Sequence, residues 1–420
     1  MERGIYVDAH RSKKISTRFK GERTFYETTH TTSTAKPGDI LTVEVTRLKN
    51  KLIVPGTFAL AFDMDIVLDP SEPGTAINTY PVNNLAANIV SQIVVKIGSE
   101  VVHTLQNAHL YNTFKDLWLT EKQRTNAVFK GIQDEELRKM RTDLKTKFVN
   151  TKASNLILKN IFGKRYIMPL DFDIINDHMA LPTGLIEQTI VFELTINKKE
   201  YVLKYSKETA DFTLKNICVQ YETVSESSLT DSIKGQIESG CYFLFDDVHH
   251  YIRKKILKKD ELVKEIINVD RKSLKGILLL FQDAFTGGER DSEHFPNPEI
   301  ENVKITIGSP NQIYSEGVKQ LHHWDEICKH FVSEDLKKTH DLYMDIVKYY
   351  CDNKYALWID FRTTEDNTLH GAGNGYKLNE SIMLDITKKN KGEGEYTMHI
   401  FVVADARIKI EKNKFGNIER

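Results

Sequence analysis

The sequence predicts an all-β-dominated protein with two tandem jelly-roll β-sandwiches, a double jelly roll, and with helices inserted at the surface. Two observations support this prediction. Apolar and polar residues alternate through much of the chain, which is the pattern of strands with one buried face. The same order of segments also occurs twice, and each copy has the length of one sandwich.

Length and composition agree with two domains of this kind. The chain has 420 residues, of which 40% are hydrophobic and 28% are charged, so each half can bury a core. Lysine and arginine number 58 against 59 for aspartate and glutamate, which leaves a net charge of −1. This balance argues against a protein that coats nucleic acid by neutralising phosphates in bulk, and any nucleic-acid contact must be local.

The sequence also indicates the compartment. Its start lacks the apolar core of a signal peptide, and no apolar run reaches the roughly 18 residues that cross a bilayer. The four cysteines show neither a CxxC pair nor zinc-ligand spacing: Cys218, Cys241, Cys328 and Cys351. We therefore expect a chain that folds in a reducing compartment with free, buried thiols.

Residues 1–37 are predicted to form an N-terminal arm because they are polar and Thr-rich. Between Arg11 and Arg23 this segment carries six basic residues and one acidic residue, Glu22. Such an arm is either a solvated tail or a segment that docks on a neighbouring subunit, on lipid or on nucleic acid.

Residues 38–223 are predicted to form the first jelly roll. Ile93, Val95 and Ile97 lead into a Gly98-Ser99 turn, and glycine first in a two-residue turn predicts a type II′ hairpin with Val102 opposite Val95. A helical insertion is expected at about 119–150. It opens with a capping box at Thr120–Gln123 and has apolar residues at helical spacing, namely Leu137, Met140, Leu144 and Phe148.

The Ser-rich segment 224–235 is predicted to be a linker. A second jelly roll then follows over 236–412, with a C-terminal tail at 413–420. Within the second jelly roll we expect a helix from Ser333 to about Tyr350, because acidic residues open the segment and apolar residues recur on one side.

Four matched segments in the same order predict an internal duplication. Val303, Ile305 and Ile307 before Gly308-Ser309 repeat the first-half hairpin 210 positions later. The other pairs are HLYNTFKDLW with QLHHWDEICKHF, Phe192–Ile196 with Ile382–Ile386, and FTLKNICVQYETV with YTMHIFVVADARIKI.

The strongest enzymatic pattern is His323-x-Asp325 with His399 and Arg407 downstream, the order used by jelly-roll iron(II)/2-oxoglutarate oxygenases. The surrounding residues predict a helix, on which His323 and Asp325 point to nearly opposite sides, so they cannot bind one metal. Asp246, Asp247, His249 and His250 would place Asp246 and His250 one helical turn apart, without a third ligand.

The glycine-rich segment His370–Gly375 lacks the following helix of a phosphate loop and is predicted to be a turn between strands. We therefore predict no catalytic, cofactor-binding or metal-binding residue and no cofactor.

Three groups of segments carry a family resemblance. They are VSQIVVKIGSEVVHTLQNAHLYNTFKDLW, YIMPLDFDIINDHMALPTGLIEQTIVFELTI, and the trio RKSLKGILLLF, ITIGSPNQIYSEGV and LWIDFRTTEDNTLHGAGNGYKL. Over residues 40–412 the chain resembles double jelly-roll major capsid proteins of the lineage of adenoviruses, tectiviruses and large DNA viruses. Within that lineage it is most similar to the Polinton-like and adintovirus proteins. Ser99 and Thr183 depart from the family pattern.

The resemblance implies a non-enzymatic capsid subunit that forms pseudo-hexagonal homotrimers, which tile an icosahedral shell around double-stranded DNA. It also implies penton and minor capsid partners, no small-molecule substrate, and a place in the virion after synthesis in the host cytoplasm and assembly in cytoplasm or nucleus. We expect segments 119–150 and 283–300 on the outer face or at trimer contacts. The alternatives are a jelly-roll iron(II)/2-oxoglutarate-type oxygenase and a minor capsid or host-domesticated binding protein.

Overall fold

The computed structural model describes fourteen ranges of the chain: 22–49, 51–67, 79–141, 164–170, 183–205, 210–225, 227–257, 262–269, 271–283, 290–307, 311–332, 341–362, 381–389 and 395–420. Strands dominate these ranges, and the predicted fold class is confirmed.

The strands of the first half are β1 Glu22–Thr29, β2 Thr34–Ala35, β3 Ile40–Glu44, β4 Leu52–Ile53, β5 Ala59–Val67, β6 Tyr80–Pro81, β7 Val90–Ile97, β8 Glu100–Gln106, β9 Arg165–Pro169, β10 Ile190–Ile196, β11 Leu203–Lys204 and β12 Asp211–Ser225. Those of the second half are β13 Cys241–Leu257, β14 Leu262–Asn268, β15 Leu274–Asp283, β16 Ile300–Ile307, β17 Asn311–Lys319, β18 Ala356–Asp360, β19 Ser381–Lys388, β20 Glu395–Glu411 and β21 Lys414–Glu419.

The α-helices are α1 Leu85–Asn88, α2 Ala108–Asp116, α3 Glu121–Asn126, α4 Glu135–Arg141, α5 Lys199–Val202, α6 Ser227–Ser239, α7 His323–Phe331 and α8 Ile346–Cys351. Short 3₁₀ turns cover Ala127–Lys130 and Gln320–His322.

Each half contains two antiparallel four-strand arrays. In the first half their orders are β1-β12-β5-β9 and β3-β10-β7-β8; in the second they are β13-β20-β15-β18 and β14-β19-β16-β17. The strands of these arrays in the first half, in chain order, are β1, β3, β5, β7, β8, β9, β10 and β12, and those in the second half are β13 to β20. When each set is numbered one to eight, both halves have the sheet orders 1-8-3-6 and 2-7-4-5. Eight strands in two sheets with this order form a jelly roll, so the duplication predicted from four short matches is present in the topology.

The alternating pattern selects the buried face of each strand. In β10, every second residue from Ile190 to Ile196 is buried, and β19 shows the same alternation. The hairpin of β7 and β8 turns at Gly98, whose φ of +61° suits the first position of the predicted turn. Val95 pairs with His103 rather than with Val102, because a bulge shifts the register by one residue.

Three segments predicted to lack regular structure contain it. The predicted arm overlaps β1, which pairs along its full length with β12, from Glu22 with Ser225 to Thr29 with Cys218. The predicted linker overlaps α6, whose Ile233 and Ile237 lie one turn apart and are buried. The predicted tail overlaps β21, which pairs with β20. The exact domain boundaries remain a proposal.

The helical insertion predicted at about 119–150 begins as expected but buries other residues than expected. The capping box is confirmed: the Thr120 hydroxyl accepts from the Gln123 N–H at 3.1 Å, and the Gln123 side chain accepts from the Thr120 N–H at 2.8 Å. In α4, however, Arg138 and Arg141 are buried and Leu137 is only partly buried, and Leu144 and Phe148 lie outside the described ranges.

The helix predicted over 333–350 is wrong in its extent. Residues 341–345 are not helical, and α8 begins after Asp345, whose carboxylate accepts from the backbone N–H groups of Val347 and Lys348. An N-cap residue has a non-helical backbone conformation, and the helix begins at the residue after it. The apolar spacing upstream of Asp345 therefore does not mark a helix over residues 341–345. Residues 333–340 lie outside the described ranges.

Candidate functional site: the contact between the two sandwiches

Two long paired strands, β13 and β20, join the halves. Each has 17 residues. The Met398–Val403 part of β20 lies in the second core, whereas Ala406, Ile408 and Ile410 lie in a core shared with the first sandwich. Phe243 and Phe415, from β13 and β21, extend this shared core. Because a pair of strands passes continuously from one core to the other, the two sandwiches are held as one unit.

An aromatic cluster forms a second apolar contact. Trp118 of the first half stacks on Trp324 at 5.7 Å and on Phe331 at 5.4 Å, measured between ring centroids. Phe114 meets Phe295 edge to face at 5.3 Å. Buried aromatic pairs of this geometry add roughly 0.5–1.5 kcal/mol each beyond the area that they bury.

A buried ion pair lies beside this cluster. The Arg124 guanidinium is 2.7 Å from the Glu293 carboxylate, and their side chains are 8% and 5% exposed. The same guanidinium stacks over the Tyr343 ring at 4.0 Å from its centroid. Arg124 and Glu293 belong to segments 119–150 and 283–300, and within one chain their charges satisfy each other. The placement of these segments on the outer face or at trimer contacts stays a prediction.

Three buried histidines lie at the contact: His109 on α2, His250 on β13 and His399 on β20. We call them the histidine seam. The His250 Nε2 and His399 Nδ1 atoms are 3.1 Å apart and share a hydrogen bond, and Asn107 lies 3.4 Å from the other nitrogen of His250. The His109 ring packs against Tyr201 at 4.7 Å, and the Arg290 guanidinium covers the same tyrosine at 4.4 Å.

The seam favours neutral imidazole. Burial, together with the neighbouring His249, lowers the pKa of His250 to about 4. Burial, together with His250 and Arg290, lowers the pKa of His399 to about 3. Burial and the Arg290 charge also hold the pKa of His109 well below its ordinary value.

The four residues of the oxygenase-like pattern do not come together in the structure. His323 is fully buried at the start of α7, where its ring bonds the Val318 carbonyl at 3.2 Å and the Tyr355 hydroxyl at 2.8 Å. Asp325 is exposed, as its helical position requires. His399 belongs to the histidine seam, and Arg407 pairs with Glu419.

The other metal candidate is wrong in its local structure. Asp246, Asp247, His249 and His250 lie on β13 rather than on a helix. Asp246 bonds Lys275 at 2.6 Å, and Asp247 pairs with Arg271 at 2.7 Å. Within the described ranges, no group of three or more His, Cys, Asp or Glu residues could hold a metal ion. The glycine-rich segment His370–Gly375 lies outside those ranges.

The four cysteines are free thiols, as predicted, but their burial differs from the prediction. Cys218 is buried, Cys241 and Cys328 are partly buried, and Cys351 is exposed. The exposure of Cys351 follows from its place at the end of the short surface helix α8.

An open apolar groove lies at one end of the second sandwich. Its apolar side chains are Leu321, Ile346 and Tyr350, and its rim carries Asn297, Glu299, Gln320 and Lys389. Leu321 is 83% exposed and Ile346 53% exposed. Two more exposed apolar side chains, Leu262 and Ile266, lie on the edge strand β14. Among the described residues, no helix is long and apolar enough to span a membrane.

Comparison with solved structures identifies the class of fold. The Faustovirus major capsid protein has a TM-score of 0.63 and 7% identity, over 96% of this chain and 94% of that chain. The Sputnik virophage structure has a TM-score of 0.62 and 10% identity, over 95% and 89%. The mavirus major capsid protein has a TM-score of 0.52 and 9% identity, over 94% and 89%. No protein-family model and no curated protein matches the sequence.

These neighbours are double jelly-roll major capsid proteins and not enzymes, and the chain shares their fold over at least 94% of its length. The sequence predicted this class, but it did not reveal the contact residues. His103 and Asp247, for example, approach to 3.4 Å although they are 144 positions apart. A single sequence carries no signal that pairs such residues.

Proposed function

We propose that this chain is a major capsid protein that assembles as a homotrimer of pseudo-hexagonal outline. The observation that carries the proposal is the joining of two sandwiches with the same strand order into one unit. Three copies around a threefold axis would place six similar sandwiches in a ring, and units of nearly hexagonal outline can tile a closed shell. The likeness to capsid proteins over at least 94% of this chain supports this role.

The trimer would then form the lattice of an icosahedral shell in the virion of a DNA virus or a virus-like element such as a Polinton. Synthesis would take place in the host cytoplasm, with assembly there or in the nucleus. The groove at Leu321 and Ile346 and the β14 edge at Leu262 and Ile266 supply exposed apolar area for contacts between copies.

The polar rim of the groove would suit weaker contacts, including those with penton and minor capsid proteins. The basic residues that begin at Arg11 would contact phosphate groups of lipid or DNA on one side of the shell. Six basic side chains near one surface would make this contact weaken as salt rises.

Light scattering after size exclusion, with negative-stain imaging of the same peak, tests the assembly. We expect a mass of about three times 48.4 kDa with hexagonal particles, or closed shells. A monomer at high concentration that forms no larger particle would refute the proposal. It would leave the minor capsid or binding-protein alternative as the function to examine.

A further inference from the structure

We propose that the histidine seam is an acid-sensitive joint between the two sandwiches: its neutral rings hold the halves together, and protonation of those rings opens the contact. The inference concerns one chain and does not depend on the proposed assembly.

The first step of the argument is the hydrogen bond between His250 and His399. One nitrogen must donate and the other must accept across 3.1 Å. This bond therefore requires a lone pair on the accepting ring. If both rings become imidazolium, both nitrogens carry hydrogen, the bond is lost, and two positive charges face each other.

The second step is the lack of partners for added protons. Among the described residues, three ring nitrogens have no hydrogen-bond partner: both nitrogens of His109 and the Nε2 of His399. His109 is 2% exposed and His399 3% exposed, so both rings are shielded from bulk water in the closed contact. A charged ring there would carry a buried N–H without an acceptor, which is costly.

The third step is the charge that surrounds the seam. Arg290 reaches it from the segment before β16, and Tyr201 from α5. Arg290 lowers the pKa of both His109 and His399, and His249 lowers that of His250. Among the described residues, the charged or titratable groups that act on the three rings are Arg290 and other histidines. Each proton taken up therefore adds to positive charge.

One neighbouring histidine at the same contact has a carboxylate as its partner. His103 on β8 faces Asp247 on β13 at 3.4 Å, and Asp247 also pairs with Arg271 and Arg420. The partner of His103 is therefore a carboxylate, whereas the groups that act on the three seam rings are Arg290 and other histidines. His103→Gln is therefore a control at the same contact that should not stabilise the closed state against acid.

The direction of the pH effect follows from the shifts. In the open state the rings return towards a pKa of about 6.5, whereas in the closed state His250 and His399 stay neutral down to about 4 and 3. Between these values the open state binds more protons, so falling pH favours opening.

Tryptophan fluorescence can report the opening, because Trp118 and Trp324 stack across the contact. We would titrate the full chain from pH 7.5 to pH 3.5, following the emission maximum together with the far-ultraviolet circular dichroism. We expect the emission to shift to longer wavelength while the strand signal persists. In the double variant His250→Gln/His399→Gln, the midpoint should move down by about one pH unit.

One further control completes the design. His323→Gln removes a buried histidine that is bonded wholly within the second sandwich. It should leave the emission midpoint in place, whereas the loss of the strand signal, which reports unfolding, should move to lower pH. An emission midpoint that is unchanged in the double variant, or that moves equally in His323→Gln, would overturn the proposal.

Hydrogen exchange of the wild-type chain keeps the test valid if the double variant does not fold. With rates corrected for pH, peptides from β8, α2 and the middle of β13 should lose protection before those of β15 and β18. Simultaneous loss in all of these elements would also overturn the proposal.

Discussion

The ion pair between Arg124 and Glu293 offers a sharp test of the rigid contact between the sandwiches. Its two charged groups lie 2.7 Å apart and are almost fully buried. Arg124 also donates to the Asp116 carbonyl at 3.0 Å. We would measure urea unfolding of Arg124→Met, Glu293→Gln and the double variant, at one fixed protein concentration, by tryptophan emission.

The magnitude follows from desolvation. Removing one partner of a buried pair leaves the other charge without compensation, which costs about 3–5 kcal/mol. Each single variant should therefore lose roughly 3 kcal/mol of unfolding free energy. The double variant should lose much less than the sum, with a coupling of about 1.5 kcal/mol or more, because it leaves no unpaired charge.

The exposed pair of Glu316 and Lys319 provides the matched control. Its side chains are 78% and 55% exposed, so Lys319→Met should leave the urea midpoint unchanged. If the losses of Arg124→Met and Glu293→Gln add to within about 0.5 kcal/mol, the two charges do not stabilise each other and the reasoning is refuted.

Three further predictions concern packing, assembly and pH. Gly276→Ala should destabilise the fold by roughly 3 kcal/mol or prevent folding, because a Cβ there would lie 2.1 Å from the Trp358 ring. The control is Gly235→Ala in α6, where a Cβ meets no atom within 4 Å, and thermal melts should show it neutral or stabilising. Leu321→Asp with Ile346→Asp should weaken self-association in sedimentation velocity with an unchanged circular dichroism spectrum. The control variant Lys272→Asp changes an exposed site outside both apolar patches and should leave self-association unchanged. If the groove variant and the control variant assemble equally well, the groove is not a contact between copies. Burial lowers the pKa of His323 to about 4 in the folded state. Between pH 6.5 and 4 the unfolded state therefore binds more protons at this residue, and the free energy of unfolding should fall by up to about 3 kcal/mol as the pH is lowered through this range. Urea midpoints of His323→Gln should show a flatter pH dependence, and an identical profile to wild type would count against this.

The sequence determined the features that local periodicity records. Alternation of period two marked the strands and their buried faces, as in Ile190–Ile196. Repetition of four segments marked the duplication. The Thr120–Gln123 capping box was readable because its two partners are three residues apart.

Only the tertiary structure decided what covers those faces and what the end segments do. The sequence of β1 is polar because β1 is an edge strand, so it was predicted to be part of an arm. Its partner β12 lies nearly two hundred residues away in the chain. Arg124 and Glu293 are 169 positions apart, and His250 and His399 are 149. The periodicity of a chain records that a side chain is buried but not which distant residue buries it. For this reason the joint between the two sandwiches emerged from the fold alone.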